Sequence, residues 1–193
     1  MIRQLRSVPF YFIRHGQTDW NVAHRAMGVT DIALNETGKL QAENAASLLK
    51  EREIACVFSS PLQRALETAE TIVSGRDIEI KSVQNLKEFN LGEYAGKKID
   101  TWFDEWMDGM ILPEGESYTD FVDRSIQGVN EALIGQKPIL IVGHGGTYWS
   151  IQRATGLLDL PDLPNCEPVE FIPPTESIPA WQCVPIKERV ERT

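Results

Sequence analysis

Val8-Pro9-Phe10-Tyr11-Phe12-Ile13-Arg14-His15-Gly16 is an uncharged, aromatic-rich run that stops at a cation and an imidazole. Aromatic and β-branched side chains favour a strand there, and the lack of alternation with polar residues fits a strand covered on both faces. Such a strand presents Arg14 and His15 at its carboxyl end, where Gly16 lets another backbone approach closely. Pro138 to Gly143 repeats the pattern and ends at His144. Ala55 to Ser59 and Ile78 to Val83 read as shorter strands, and Val169 to Ile172 and Trp181 to Val184 as two more near the proline-rich end.

Helical patterns lie between these runs. Asn35 is placed to cap a helix over Glu36 to Arg52, with Leu40, Ala45, Leu48 and Leu49 as its apolar stripe. Ser60 as N-cap, Pro61 in the first turn and Gly75 beyond the end frame a second helix. Its positions Leu62, Ala65, Leu66, Ala69, Ile72 and Val73 follow the helical period. Ile99, Trp102, Phe103, Trp106 and Met110 recur at the same period, with Asp100, Asp104 and Asp108 on another face. Ser117 caps a helix reaching Gly135, and a last helix runs from Gly146 to about Gly156. Alternating strands and helices imply a three-layer α/β sandwich, a mostly parallel central sheet flanked by helices. Ligands of such sheets collect beyond the strands' carboxyl ends, which would bring His15 and His144 into one cleft.

A chain of 193 residues, 42% hydrophobic and 24% charged, fits one domain over residues 1–193. The formal net charge of −9 disfavours nucleic acid and anionic membranes as partners, though not a small phosphorylated metabolite met by local arginines. Cys56, Cys166 and Cys183 form no C-x-x-C pair and read as reduced thiols. The run Val8 to Ile13 is too short for a signal-peptide core, and no segment approaches the ~20 apolar residues of a membrane span. The expected compartment is therefore the cytoplasm. The odd cysteine count and the apolar C-terminal stretch leave room for a homodimer.

The first run extends to Phe12-Ile13-Arg14-His15-Gly16-Gln17-Thr18-Asp19-Trp20-Asn21. Further on come Gly28 with Asp31 and Leu34, Gly38 with Gln41-Ala42, and Ser59-Ser60-Pro61-Leu62-Gln63-Arg64-Ala65 with Thr68-Ala69. Then follow Glu88 with Gly92 and Gly96, Pro113 to Ser117, and Val142-Gly143-His144-Gly145-Gly146. In this order the segments resemble the histidine phosphatase superfamily, the phosphoglycerate-mutase-like proteins, over residues 8–156. The resemblance implies that His15 becomes phosphorylated and that Arg14, Arg64 and His144 surround the phosphate. It adds Asn21, with Thr18 and Gly28, as further phosphate or substrate contacts, and Glu88 as the acid that protonates the leaving alkoxide. No cofactor or metal is implied.

The chemistry is consistent with these residue types. A neutral imidazole, available near pH 7, can approach a phosphate dianion that would repel a charged nucleophile. Planar guanidinium forks neutralise nonbridging oxygens, and phosphoryl transfer is chiefly positioning and electrostatic stabilisation. Glu93 competes with Glu88 for the acid role, whereas His24 reads as an ordinary loop histidine. Thr18 and Asn21 have a plainer reading as satisfiers of loop backbone groups. No H-x-H or HExxH spacing supports a metal site.

Within the resemblance, phosphatase is preferred over mutase. Between Glu88 and Ser117 the basic residues are Lys97 and Lys98 alone, little to bind a second phosphate. The same segment, about 89–116, reads as a small cap, its aromatic stripe either packing on the domain or shaping the pocket for an apolar or planar group. Met27, where related sequences often carry Gln or Thr, points the same way. A catalytically silent binding protein is the remaining alternative, disfavoured because the nucleophile, both arginines and the second histidine are all present.

Overall fold

The computed structural model describes residues 3–187. Its sheet is built from β1 (Phe10–Arg14), β2 (Cys56–Ser59), β3 (Ile80–Ser82), β4 (Ile139–Gly143), β5 (Val169–Ile172) and β6 (Gln182–Pro185), in spatial order β3-β2-β4-β1-β5-β6. The first four neighbours pair in parallel, with Arg14 beside Gly143 and Ser59 beside Val142. The last two strands add on antiparallel, Phe10 facing Phe171 and Val169 facing Pro185.

The α-helices of the described residues are α1 (Asp19–Val22), α2 (Glu36–Leu49), α3 (Gln63–Val73), α4 (Thr101–Met107), α5 (Tyr118–Ala132) and α6 (Gly145–Thr155), of which α2, α3, α5 and α6 cover the sheet. Strand alternation sorts the core into two layers. Phe10, Phe12, Phe58, Ile139 and Ile141 meet Ile126 and Val129 of α5 and Tyr148 and Ile151 of α6. Ile13, Val57, Leu140 and Val142 meet Ala42, Ala45 and Leu49 of α2 and Ala65, Ala69 and Ile72 of α3. The expected three-layer α/β sandwich is the observed one.

The chain leaves β1 across β4 toward β2, and leaves β4 across β1 toward β5. The two crossovers diverge at the β1–β4 junction, which opens a crevice between the carboxyl ends of those strands. His15 and His144 stand on its two sides. A third apolar cluster, Phe89, Leu91, Trp102, Phe103, Trp106, Leu112, Phe121 and Val122, joins α4 to the start of α5 above this crevice.

Several local expectations are corrected. α2 ends at Leu49 rather than Arg52, and Leu40 is 60% exposed. The buried face is carried by Gly38, Ala42, Ala45 and Leu49, because the helix lies too close to its neighbours for larger side chains. At Gly38 an added Cβ would overlap the backbone of Gln17, and at Gly16 it would meet the Gly38 carbonyl at 2.5 Å. α3 begins at Gln63, with Leu62 rather than Ser60 at its cap and no capping side chain. α4 is short, Asp100 caps it, and Ile99 lies before it, half exposed. α1 was not anticipated. The last strand lies one residue later than expected, at Gln182–Pro185. Among the described residues no helix is long and apolar enough to cross a membrane.

Candidate active site

β1 delivers Arg14 and His15 and α3 delivers Arg64 into the crevice, while β4 sets the fully buried His144 against His15. The backbone N–H of His15 donates to Gly143 O at 3.0 Å, so the parallel ladder itself sets the two histidines side by side. Their ring centroids are 5.2 Å apart. Both side chains are buried, as are Arg64, Glu88, Thr68 and Ser60.

His15 is held at both nitrogens. Nδ1 lies 2.7 Å from the Gly16 carbonyl, an acceptor only, so Nδ1 carries the proton. Nε2 is therefore bare, and the Nε–H of Arg64 donates to it at 3.2 Å. Burial, followed by the charges of Arg64 and Arg14, holds His15 well below 6.5. The sequence-level demand for a neutral imidazole is met, with the proton on the nitrogen that faces the loop.

The arginines are used differently from the free forks that the sequence suggested. Arg64 gives Nη1 to Thr30 O and Nη2 to Gly28 O, each at 2.9 Å, and Nε to His15. Burial draws its pKa down to about 10, so it stays cationic at neutral pH. Gly28, expected as a ligand contact, lines the crevice and supplies the carbonyl that aims Arg64. Arg14 donates Nη1 to Leu163 O at 3.0 Å, while its Nε is buried without a partner among the described residues. An orphaned guanidinium N–H in a cationic crevice suits an anionic oxygen.

Glu88 projects into the same crevice. Its oxygens accept the backbone N–H groups of Phe89 and Gly146, each at 3.2 Å. Burial pushes the carboxyl up, against the pull of those N–H groups and of Arg64 and Arg14. Gly146 makes this placement possible, since a Cβ there would overlap Glu88 Oε1 and the Phe121 ring. Glu93, the competing acid, is exposed and outside the crevice.

Thr18 and Asn21 follow their plainer reading in part. Thr18 caps α1, its hydroxyl and backbone N–H both donating to Asn21 Oδ1 at 3.1 and 3.0 Å. Thr18 is buried and is not among the residues that line the crevice. Asn21 does line it, and its Oδ1 is committed to Thr18, leaving Nδ2 as the end that can meet a ligand. His144 places Nε2 at 2.7 Å from Ser60 Oγ, and its Nδ1 is buried without a partner among the described residues. Burial, followed by the charges of Arg64, Arg14 and Arg124, holds it well below 6.5.

The crevice holds about 90 Å³, with Met27, Ile99, Phe103, Trp149 and Leu163 as apolar walls and Arg25 and Asp162 also lining it. Arg25 escaped the sequence reading. Its Nε donates to Gly96 O at 2.7 Å and its guanidinium lies 4.4 Å from the Trp20 ring. The segment 163–166 escaped it too: Leu163 O holds Arg14, Asn165 Nδ2 donates to His15 O at 2.7 Å, and Cys166 N donates to Arg14 O at 3.0 Å. These are backbone contacts that leave no residue-type signature; the position of Arg25 inside the matching segment between Asn21 and Gly28 was the available hint. Among the described residues no group of three or more His, Cys, Asp or Glu could hold a metal ion.

Comparison with known proteins agrees with this geometry. A family model described as the histidine phosphatase superfamily (branch 1) matches residues 10–168. An uncharacterized phosphatase PhoE of Bacillus subtilis is 35% identical over 142 residues, 72% of this chain and 72% of its own. A probable phosphoglycerate mutase GpmB of Serratia proteamaculans is 32% identical over 148 residues, 70% of this chain and 68% of its own. The solved structure of Bacillus stearothermophilus YhfR superposes with a TM-score of 0.78 at 26% identity, covering 96% of this chain and 98% of that one. A mycobacterial glucosyl-3-phosphoglycerate phosphatase, in complex with VO3, gives 0.76 at 27% identity, with 93% and 99% covered.

Proposed function

Because the chain belongs to the histidine phosphatase superfamily, we propose that it hydrolyses a small phosphate monoester through a phosphohistidine on His15. The observation that carries this reading is the His15 imidazole itself, neutral and buried, with Nδ1–H pinned to Gly16 O and a bare Nε2 beside two guanidinium groups. Nε2 attacks phosphorus, the bond to the ester oxygen breaks, and the Glu88 carboxyl gives its proton to the departing alkoxide. On arrival of the substrate the Arg64 Nε–H turns from Nε2 to a phosphoryl oxygen, and the orphaned Arg14 Nε–H meets another. The Glu88 carboxylate then takes a proton from water, whose oxygen attacks phosphorus as the P–N bond breaks. Inorganic phosphate leaves and neutral His15 returns.

Water as acceptor is favoured because the walls beyond the phosphate end are mainly apolar, and neither Lys97 nor Lys98 lines the crevice. Arg25 is the one observation on the mutase side, a cation there that could take a second anionic group. Phosphate released per ester consumed tests the point. Equal amounts are expected, while conversion to an isomeric ester with little free phosphate would make the enzyme a mutase. An Arg25→Gln variant is expected to lower kcat/KM about 10-fold for esters bearing a second anion and to leave neutral ones unchanged.

We read the enzyme as a metal-independent acid phosphatase type, since a nucleophile held below 6.5 stays neutral on the acid side. Turnover is expected to survive exhaustive chelation; loss restored by an added divalent metal would contradict this. Residues 89–116 form the cap of a single domain in this reading, with Ile99 and Phe103 as the parts that face substrate. The three unpaired cysteines suit the cytoplasm.

A further inference from the structure

His144 sits between His15 of β1 and Ser60 beyond β2, and its two ring nitrogens have unlike surroundings. Nε2 lies 2.7 Å from Ser60 Oγ, and Nδ1 is buried without a partner among the described residues. Ser60 is fully buried, and its oxygen also accepts the backbone N–H of Leu62 at 3.3 Å. Two proton arrangements are open to the pair. If the imidazole donated through Nε2, Ser60 Oγ would accept two N–H groups while its own hydrogen met no acceptor among the described residues. Nδ1 would then be a buried lone pair on a ring 5.2 Å from that of His15, able to offer nothing to a phosphoryl oxygen. If the hydroxyl donates instead, Leu62 N–H, Ser60 O–H and His144 Nε2 are all satisfied. The one group left over is then an Nδ1–H donor, which a phosphate oxygen can satisfy.

We propose that Ser60 is a positioning residue that locks His144 as the neutral Nδ1–H tautomer, so that His144 donates to the transferring phosphoryl group without carrying a charge. The proposal deepens the phosphoryl-transfer reading above and rests on it for the identity of the acceptor. A neutral donor suits this spot, because Arg14, Arg64 and Arg124 already crowd it with positive charge.

Nitrogen NMR of the histidine-labelled, substrate-free protein near neutral pH reads the tautomer directly. The expected result is a protonated, pyrrole-type Nδ1 and a bare, pyridine-type Nε2 for His144. In Ser60→Ala the two forms should mix, and kcat should fall at least about 10-fold with little change in KM. Ser60→Thr, which keeps the hydroxyl, should retain the wild-type tautomer. A protonated Nε2 in the wild type, or an unchanged tautomer in Ser60→Ala, would overturn the proposal. Because the resting protein is observed, this result is independent of whether His15 is phosphorylated during turnover, so the two readings can fail separately.

Discussion

The imidazole of His15 gains its reactivity from what it is denied. Gly16 O takes its one proton, and burial together with Arg64 and Arg14 opposes a second. Glu88 is the complementary case, a carboxyl whose hold on a proton burial strengthens against the pull of Arg64 and Arg14. Replacing Glu88 with Gln is therefore expected to slow esters of poor leaving groups at least about 100-fold and activated aryl phosphates far less, read as kcat/KM for the two classes. Equal slowing would move the acid role elsewhere. Gly146→Ala should mimic the loss in part, by displacing the carboxyl that its Cβ would meet. Arg14, His15, Arg64 and His144 were legible in the sequence because each lies in a recognisable segment beside a strand end or helix start, and Glu88 through its segment with Gly92 and Gly96. Arg25, Ser60, Leu163 and Asn165 were not. Their contributions run through backbone carbonyls, or through a hydroxyl that reads equally well as a helix cap.

At the scale of elements, the aromatic helix α4 resolves into two functions. Trp106 is fully buried, and its Nε1–H donates to Glu116 O at 2.9 Å, so it packs α4 against the segment leading into α5. Phe103 belongs to the same cluster but also reaches the crevice wall. Trp106→Ala is expected to cost about 3–5 kcal/mol of stability in denaturant unfolding. Phe103→Ala should instead raise KM several-fold at smaller cost in stability. If the two variants behaved alike, the division of the stripe would be wrong. Strand positions were readable because fully buried strands are continuous apolar runs, as at Pro138 to Gly143. Helix limits were less so. Apart from Leu49, the buried face of α2 is made of Gly38, Ala42 and Ala45, residues that carry little apolar signal, while Leu40 carries much and faces outward.

For the whole molecule, a net charge of −9 surrounds a crevice that concentrates arginine, and the fold holds two buried, uncharged histidines there. In the unfolded chain both take up protons near pH 6.5, while in the fold they do not, so the unfolded state binds more protons and stability falls as pH drops below 6.5. Glu88 works oppositely: its raised folded pKa contributes stability at acid pH that is lost as pH rises through it. Tm is therefore expected to decline on acidification below about pH 6.5, and less steeply in His15→Ala, which lacks one of the two histidines. An identical slope in the variant would contradict the buried neutral imidazole. The proposed catalysis as a whole turns on a covalent bond between phosphorus and His15. Reaction with a radiolabelled ester, quenched in base within one turnover, should yield acid-labile, base-stable label on the peptide containing His15, and none in His15→Ala. Phosphate release with no labelled wild-type protein at any time, or label persisting in His15→Ala, would contradict it.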